Sequence, residues 1–148
     1  MAKTNVKYVK KVFGVNREEK TVTCVLTYEI DTRTIPGINI LTNLPEYNDF
    51  INCIVYQLGV KYNDGVLKFK VQDIAFCASD DEFNETLGKQ LALTRAQKLA
   101  FRNTKYFYYD IGRIFKNYYE KFNILEWNCK QCEDNCHEHE FEITNSVR

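Results

Sequence analysis

The 148-residue sequence predicts an α+β fold: an antiparallel four-stranded sheet made of two hairpins, followed by two C-terminal helices packed on one face. Three observations predict it. Side chains alternate with a period of two through much of the first half, as in strands with one buried face. Asp64-Gly65 stands between two β-prone runs, where a tight hairpin turn needs positive φ at both central positions. Beyond about residue 80 the apolar residues recur at helical spacing. Strands that come first and helices that come last imply segregated layers.

Taken in order, Val6 to Phe13 is a β-prone run closed by the polar turn "NREEK" at Asn16 to Lys20. Val22, Cys24, Leu26, Tyr28 and Ile30 then alternate with Thr21, Thr23, Val25, Thr27 and Glu29, which completes the first hairpin. Asp31 to Asp49 holds both prolines, Pro36 and Pro45, and reads as a long inserted loop. Cys53 to Val60, with Ile54, Tyr56, Leu58 and Val60 on one face, is expected as the third strand. Its partner runs from Val66 to about Cys77, with a change of phase between Val71 and Ile74 that predicts a bulge or a crossing from one face to the other. "SDDE" at Ser79 to Glu82 reads as a capping box opening the first helix. Phe83, Leu87 and Leu91 continue one helical face, and Gly88 suits close packing against the sheet. A second amphipathic segment carries Phe107, Ile111, Ile114, Phe115, Tyr118 and Phe122.

Residues 1–125 are expected to form a single domain and residues 126–148 an acidic Cys/His-rich tail. The chain is 45% hydrophobic with only six glycines and two prolines, which excludes a disordered or low-complexity protein. No apolar run has the length of a membrane span, and the N-terminus lacks a secretory core. A soluble cytoplasmic protein is expected, with its six cysteines mostly reduced. Formal charge is zero, but unevenly spread. From Lys89 to Lys121 eight basic residues face two acidic ones, whereas from Glu126 onward six acidic residues face two basic ones. Such a dipolar chain can steer a partner electrostatically.

Two stretches, "VKKVFGVNREEKTVTCVLTYEI" and "FKVQDIAFCASDDEFNETLGKQLALTRA", resemble small uncharacterised bacteriophage and prophage proteins of low-GC Gram-positive hosts. The shared pattern is a hairpin, a strand ending in Cys and an acidic D-x-F helix start followed by Gly and an Ala-rich helix. Here it falls on Cys77, Asp81, Phe83, Gly88 and Ala92. The likeness covers about half the chain. It implies a phage accessory context and a small α+β fold, and it supplies no catalytic residues.

The chemistry on offer is local. Cys129, Cys132, Cys136 and His139 form C-x2-C-x3-C-x2-H, a donor set that Zn²⁺ takes tetrahedrally, with His137 competing for the fourth place. A structural zinc is therefore a candidate cofactor. As a straight helix, residues 129 to 139 would span about 15 Å, so one ion would require a bent segment or ligands shared with another chain. The alternative is an acidic terminus whose thiols bind nothing. Cys24, Cys53 and Cys77 fall in expected strands, where a thiol packs as a small apolar group. "CKQC" lacks the βαβ setting of a thioredoxin-like dithiol.

Arg95, Lys98 and Arg102 line one side of the first helix, with Lys105 and Tyr106 beyond. They could contact phosphates, or they could complement the negative end of a helix and solvate an exposed face. Tyr109 and Tyr119, in "YFYYD" and "NYYEK", serve either as interface anchors or as packing at the sheet edge or in a homodimer core. No enzyme motif is present: no phosphate loop, nucleophile elbow, H-E-x-x-H or dinucleotide fingerprint. These residues and the phage-like pattern together lead to an accessory protein that acts by stoichiometric binding to a host protein or ribonucleoprotein. An inhibitor of a host defence nuclease, of the anti-CRISPR kind, is the expected class. A zinc-stabilised nucleic-acid-binding regulator is the second reading and a cysteine-dependent enzyme the third.

Overall fold

Every second side chain of the strand β2 (Thr21–Asp31) is sealed from solvent: Val22, Cys24, Leu26, Tyr28 and Ile30 are at most 2% exposed. Burying a large apolar side chain contributes roughly 1.5–3 kcal/mol, so this one strand supplies much of the core. A computed structural model describes residues 6–78 and 82–147 of the chain and shows why β2 is central. It pairs antiparallel with β1 (Val6–Asn16) on one side and with β4 (Val66–Phe76) on the other, and β3 (Lys61–Asn63) adds to β4, giving the order β1-β2-β4-β3.

The first expected hairpin forms, and the second turn forms with the short strand β3 in place of the expected partner at residues 53–60. Asn16 pairs with Thr21, and the Asn16 Oδ1 in the turn accepts from the Glu19 N–H. Asp64 and Gly65 turn β3 into β4 with φ of 51° and 80°, the positive values that the Asp-Gly pair predicts. The bulge expected between Val71 and Ile74 is absent. Register runs unbroken from Thr21↔Phe76 to Asp31↔Val66, and Leu67, Val71 and Ala75 keep one phase on the buried face. Ile74 belongs to the opposite face. The register shift in the sheet falls in β1, between Tyr8 and Lys10.

Two further expectations are corrected. Residues 53–60 are not a strand: α2 (Pro45–Leu58) runs through them, with Pro45 in its first turn and Gly59 ending it at φ 61°. Tyr47 and Ile51, one helical turn apart, are buried, whereas Tyr56 and Leu58 of the apparent alternation are largely exposed. The alternation Ile54, Tyr56, Leu58 was a coincidence of period, and the Pro-start and Gly-stop pair is the stronger local signal. The stretch before α2 is compact: a 3-10 turn (Thr32–Thr34), then the single turn α1 (Ile38–Leu41), with Ile35 and Leu41 buried.

The two expected C-terminal helices are one, α3 (Glu85–Ser146). Asn103 and Thr104, residues that favour caps and turns over helix interiors, lie inside it. Thr104 is nevertheless 5% exposed, and its Oγ1 donates to the Ala100 carbonyl at 2.8 Å, so the hydroxyl is satisfied without leaving the helix. The capping box at Ser79 to Glu82 lies partly outside the described residues. The first turn of α3 is capped by Asn84, whose Oδ1 accepts from the Leu87 N–H at 3.0 Å.

The chain divides into two compact units, Met1–Tyr109 and Asp110–Arg148. In the first, Ala92, Ala96 and Ala100 are fully buried at four-residue spacing, a smooth row that lets α3 approach the sheet. Gly88 allows the closest approach, since a Cβ there would lie 2.7 Å from Val22 Cγ2. Aromatic rings extend the contact: Tyr28 stacks on its strand partner Phe69, and Phe69 and Phe50 both meet Phe107. The Tyr28 hydroxyl is raised above its usual pKa by burial, opposed by hydrogen bonds with Thr104 and Asn103. The second unit is helical from Asp110 to Ser146. No helix among the described residues is long and apolar enough to cross a membrane.

Candidate binding surfaces

In the first unit a side of α3 flanking its alanine row carries Arg95, Lys98, Arg102, Tyr106 and Tyr109, at successive offsets of 3, 4, 4 and 3 residues. All five are exposed. Lys105 borders this stripe, with its Nζ 5.0 Å from the centre of the Tyr106 ring, a cation–π contact that keeps both charge and ring at the surface. The helix does not end here, so the cations have no helix C-terminus to complement. The helix-dipole part of the second reading of the basic row therefore does not apply, while the exposure of the row fits its solvated-face part.

One of the cations is already engaged. The Arg95 guanidinium donates through Nη1 to the Ile74 carbonyl at 2.9 Å. Because β3 pairs with β4 only as far as Lys68, the outer edge of β4 beyond that point has no strand beside it among the described residues. Arg95 caps one carbonyl of that edge, a common way to blunt strand pairing with other chains. Asp73, Ile74 and Phe76 thus form one wall of a shallow depression, and Lys98, Leu99 and Arg102 the other. Lys98 and Arg102 remain to meet an acidic group, next to two tyrosines that are 54% and 64% exposed.

Tyr119 is equally open at 64% but belongs to the second unit, so it is a separate feature from the stripe. There, Cys129, Cys132, Cys136 and His139 are all exposed on α3. Spacings of three, four and three put them along one helix face, whereas His137, two residues from His139, points about 200° away from it. The competition between the two histidines for the cysteine face is thereby resolved in favour of His139. Glu142 Oε2 lies 3.9 Å from His139 Nδ1, which leaves Nε2 as the nitrogen for a ligand. Among the described residues no three His, Cys, Asp or Glu side chains converge on one point where a metal would sit, because the helix spreads them along its axis.

The remaining cysteines have other settings. Cys24 is buried and its thiol is pushed up by burial, with Lys11 pulling weakly the other way, the opposite of what a nucleophile needs. Cys53 lies exposed on α2 instead of in a strand, and Cys77, just past β4, directs its Sγ to the Glu82 carbonyl at 3.7 Å.

Sequence reasoning missed one feature. The three-four spacing of the Cys/His row continues on both sides of it: Tyr118, Phe122 and Leu125 precede, and Ile143 follows. These four apolar side chains are between 37% and 59% exposed. The signal was present in the spacing, but the Cys/His composition drew attention to ligands and away from period. Compared with known proteins, the chain matches no protein-family model, no curated protein and no solved structure.

Proposed function

We propose that the protein is a phage-type accessory protein of the host cytoplasm that acts by stoichiometric binding, occluding a host enzyme of the defence-nuclease class. The observation that supports a binding role is the stripe of Lys98, Arg102, Tyr106 and Tyr109. Exposed tyrosines beside guanidinium and ammonium groups are the side chains from which interface hot spots are built, since they bury large area at low entropic cost. The charge of the stripe selects an acidic target surface. The choice of a defence nuclease as target follows the phage-like pattern around Cys77 to Ala92.

Affinity capture from a Gram-positive host lysate, with wild-type protein and a Tyr106→Ala/Tyr109→Ala variant, tests the reading. One host protein should be retained by the wild type and lost by the variant, whose melting temperature stays unchanged because neither ring is in the core. Binding of the pure protein to bare DNA or RNA, weakening steeply with salt, would overturn it in favour of a nucleic-acid-binding regulator.

A further inference from the structure

The second unit exposes a seam that a lone helix has no use for. Phe115, Tyr118, Phe122, Leu125, Cys129, Cys132, Cys136, His139 and Ile143 recur at alternating spacings of three and four. In a heptad frame Phe115, Phe122, Cys129, Cys136 and Ile143 are a positions, and Tyr118, Leu125, Cys132 and His139 are d positions. A 3.5-residue period kept over four heptads is the pattern of a left-handed coiled coil, because a straight helix would carry the seam around its surface by about 20° per heptad. A helix of this length is held in water mainly by packing of its apolar face.

We propose that this seam pairs with the same seam of a second copy as a parallel two-stranded coiled coil, and that two zinc ions are held between the copies, one by Cys129 and Cys132 of both chains and one by Cys136 and His139 of both. Ligand geometry is the first argument. Four donors strung along one helix are spread over about 15 Å and cannot surround an ion, but the two members of each pair, three residues apart, differ by only about 4.5 Å along the axis. Each pair supplies half of a tetrahedral set. A two-fold-related copy supplies the same half from the opposite side. One site then has four thiolates and the other two thiolates and two imidazoles, both ordinary zinc donor sets. Any other partner would need its own matching donors at the same heights.

Charge supplies the orientation. The flanking e positions are Glu126, Glu133 and Glu140, and the g positions include Lys121, Asn128 and Asn135. A parallel pair sets g against e of the next heptad, so Lys121 meets Glu126 and the two asparagines meet the other two glutamates. An antiparallel pair sets e against e, which lays the glutamate column along itself. Glu142, whose Oε2 lies 3.9 Å from His139 Nδ1, is near enough to close onto the far nitrogen of a zinc-bound ring. Unmetallated thiols and imidazole are weak knobs in the middle of the seam, so zinc, which binds the pair and not the single helix, draws the equilibrium to the dimer. This pairing is independent of what the stripe on the first unit binds.

Sedimentation equilibrium of the full chain under reducing conditions, with one equivalent of zinc per chain or with chelator, tests the proposal. A dimer containing one zinc per chain is expected, its dissociation constant rising at least tenfold when the metal is removed. Cys136→Ser/His139→Ala should halve the zinc content and keep the other site. Phe122→Glu/Ile143→Glu should give monomers whose sheet unfolds at the same temperature as in the wild type. Oxidation of metal-free Cys132→Ser/Cys136→Ser protein should link Cys129 to Cys129. A monomer at every zinc concentration, zinc content unaffected by the ligand variants, a dimer that survives the Phe122/Ile143 substitutions, or the absence of that homotypic link would each overturn it.

Discussion

Gly88 and Val22 show how little slack the helix–sheet contact has. Alanine at position 88 would gain about 1 kcal/mol of helix preference but bring a Cβ to 2.7 Å from a methyl group of a valine that is 0% exposed. Overpacking a filled core costs about 1–3 kcal/mol, so the clash wins. Gly88→Ala should lower the urea midpoint, and in the Val22→Ala background the same change should cost less, the two effects falling short of additive. Tyr47 makes a different residue-scale prediction. Burial, helped by Tyr62, pushes its hydroxyl up to about 12, with Thr32 opposing weakly. Thr32 already donates its own proton to the Gly65 carbonyl at 2.6 Å, and the Tyr47 oxygen has no well-placed hydrogen-bond partner among the described residues. A phenol whose folded pKa is raised contributes stability that is complete below its unfolded value of 10.0 and is lost as pH rises towards about 12. Tyr47→Phe should flatten the fall in melting temperature above about pH 10 and stabilise the protein at neutral pH by about 1 kcal/mol.

Among the elements, the β3–β4 hairpin is the most demanding in backbone terms. Gly65 has φ 80°, and a Cβ there would meet Arg33 Cγ at 3.0 Å and the Thr32 hydroxyl at 3.4 Å, so Gly65→Ala combines backbone strain with displacement of the loop that follows β2. A loss of about 2 kcal/mol is expected by chemical denaturation, larger than for Gly14→Ala, where a Cβ meets nothing within 4 Å. The hairpin was legible because a tight turn is local chemistry: two residues decide it. α2 was misread for the converse reason. Ile54, Tyr56 and Leu58 satisfy a period of two and Tyr47 and Ile51 a period of four, and a short apolar segment carries both patterns until a core chooses between them. Arg95 illustrates a third case. As a cation it looked like part of a phosphate-binding row, and only the neighbouring open edge of β4 shows that its guanidinium has a structural acceptor.

Across the whole molecule, the two units draw their stability from different sources, the first from a sheet and helix core and the second from whatever covers the apolar seam of α3. Amide exchange should therefore separate them. Protection of β2 and β4 should be independent of protein concentration, while that of residues 118–146 should fall on dilution or on addition of chelator. The sequence by itself determined the first hairpin, the Asp64-Gly65 turn into β4 and the helical C-terminal region, because period and turn chemistry act over a few residues, whereas the helix α2 placed between β2 and β3 went unread. It left undecided whether the C-terminal region was one helix or two, which strand was central and what the Cys/His row was for. Only the tertiary structure decided the first two. A core selects among periods that the chain satisfies equally well, and an unbroken helix turns four clustered ligands into a line that one chain cannot close around an ion.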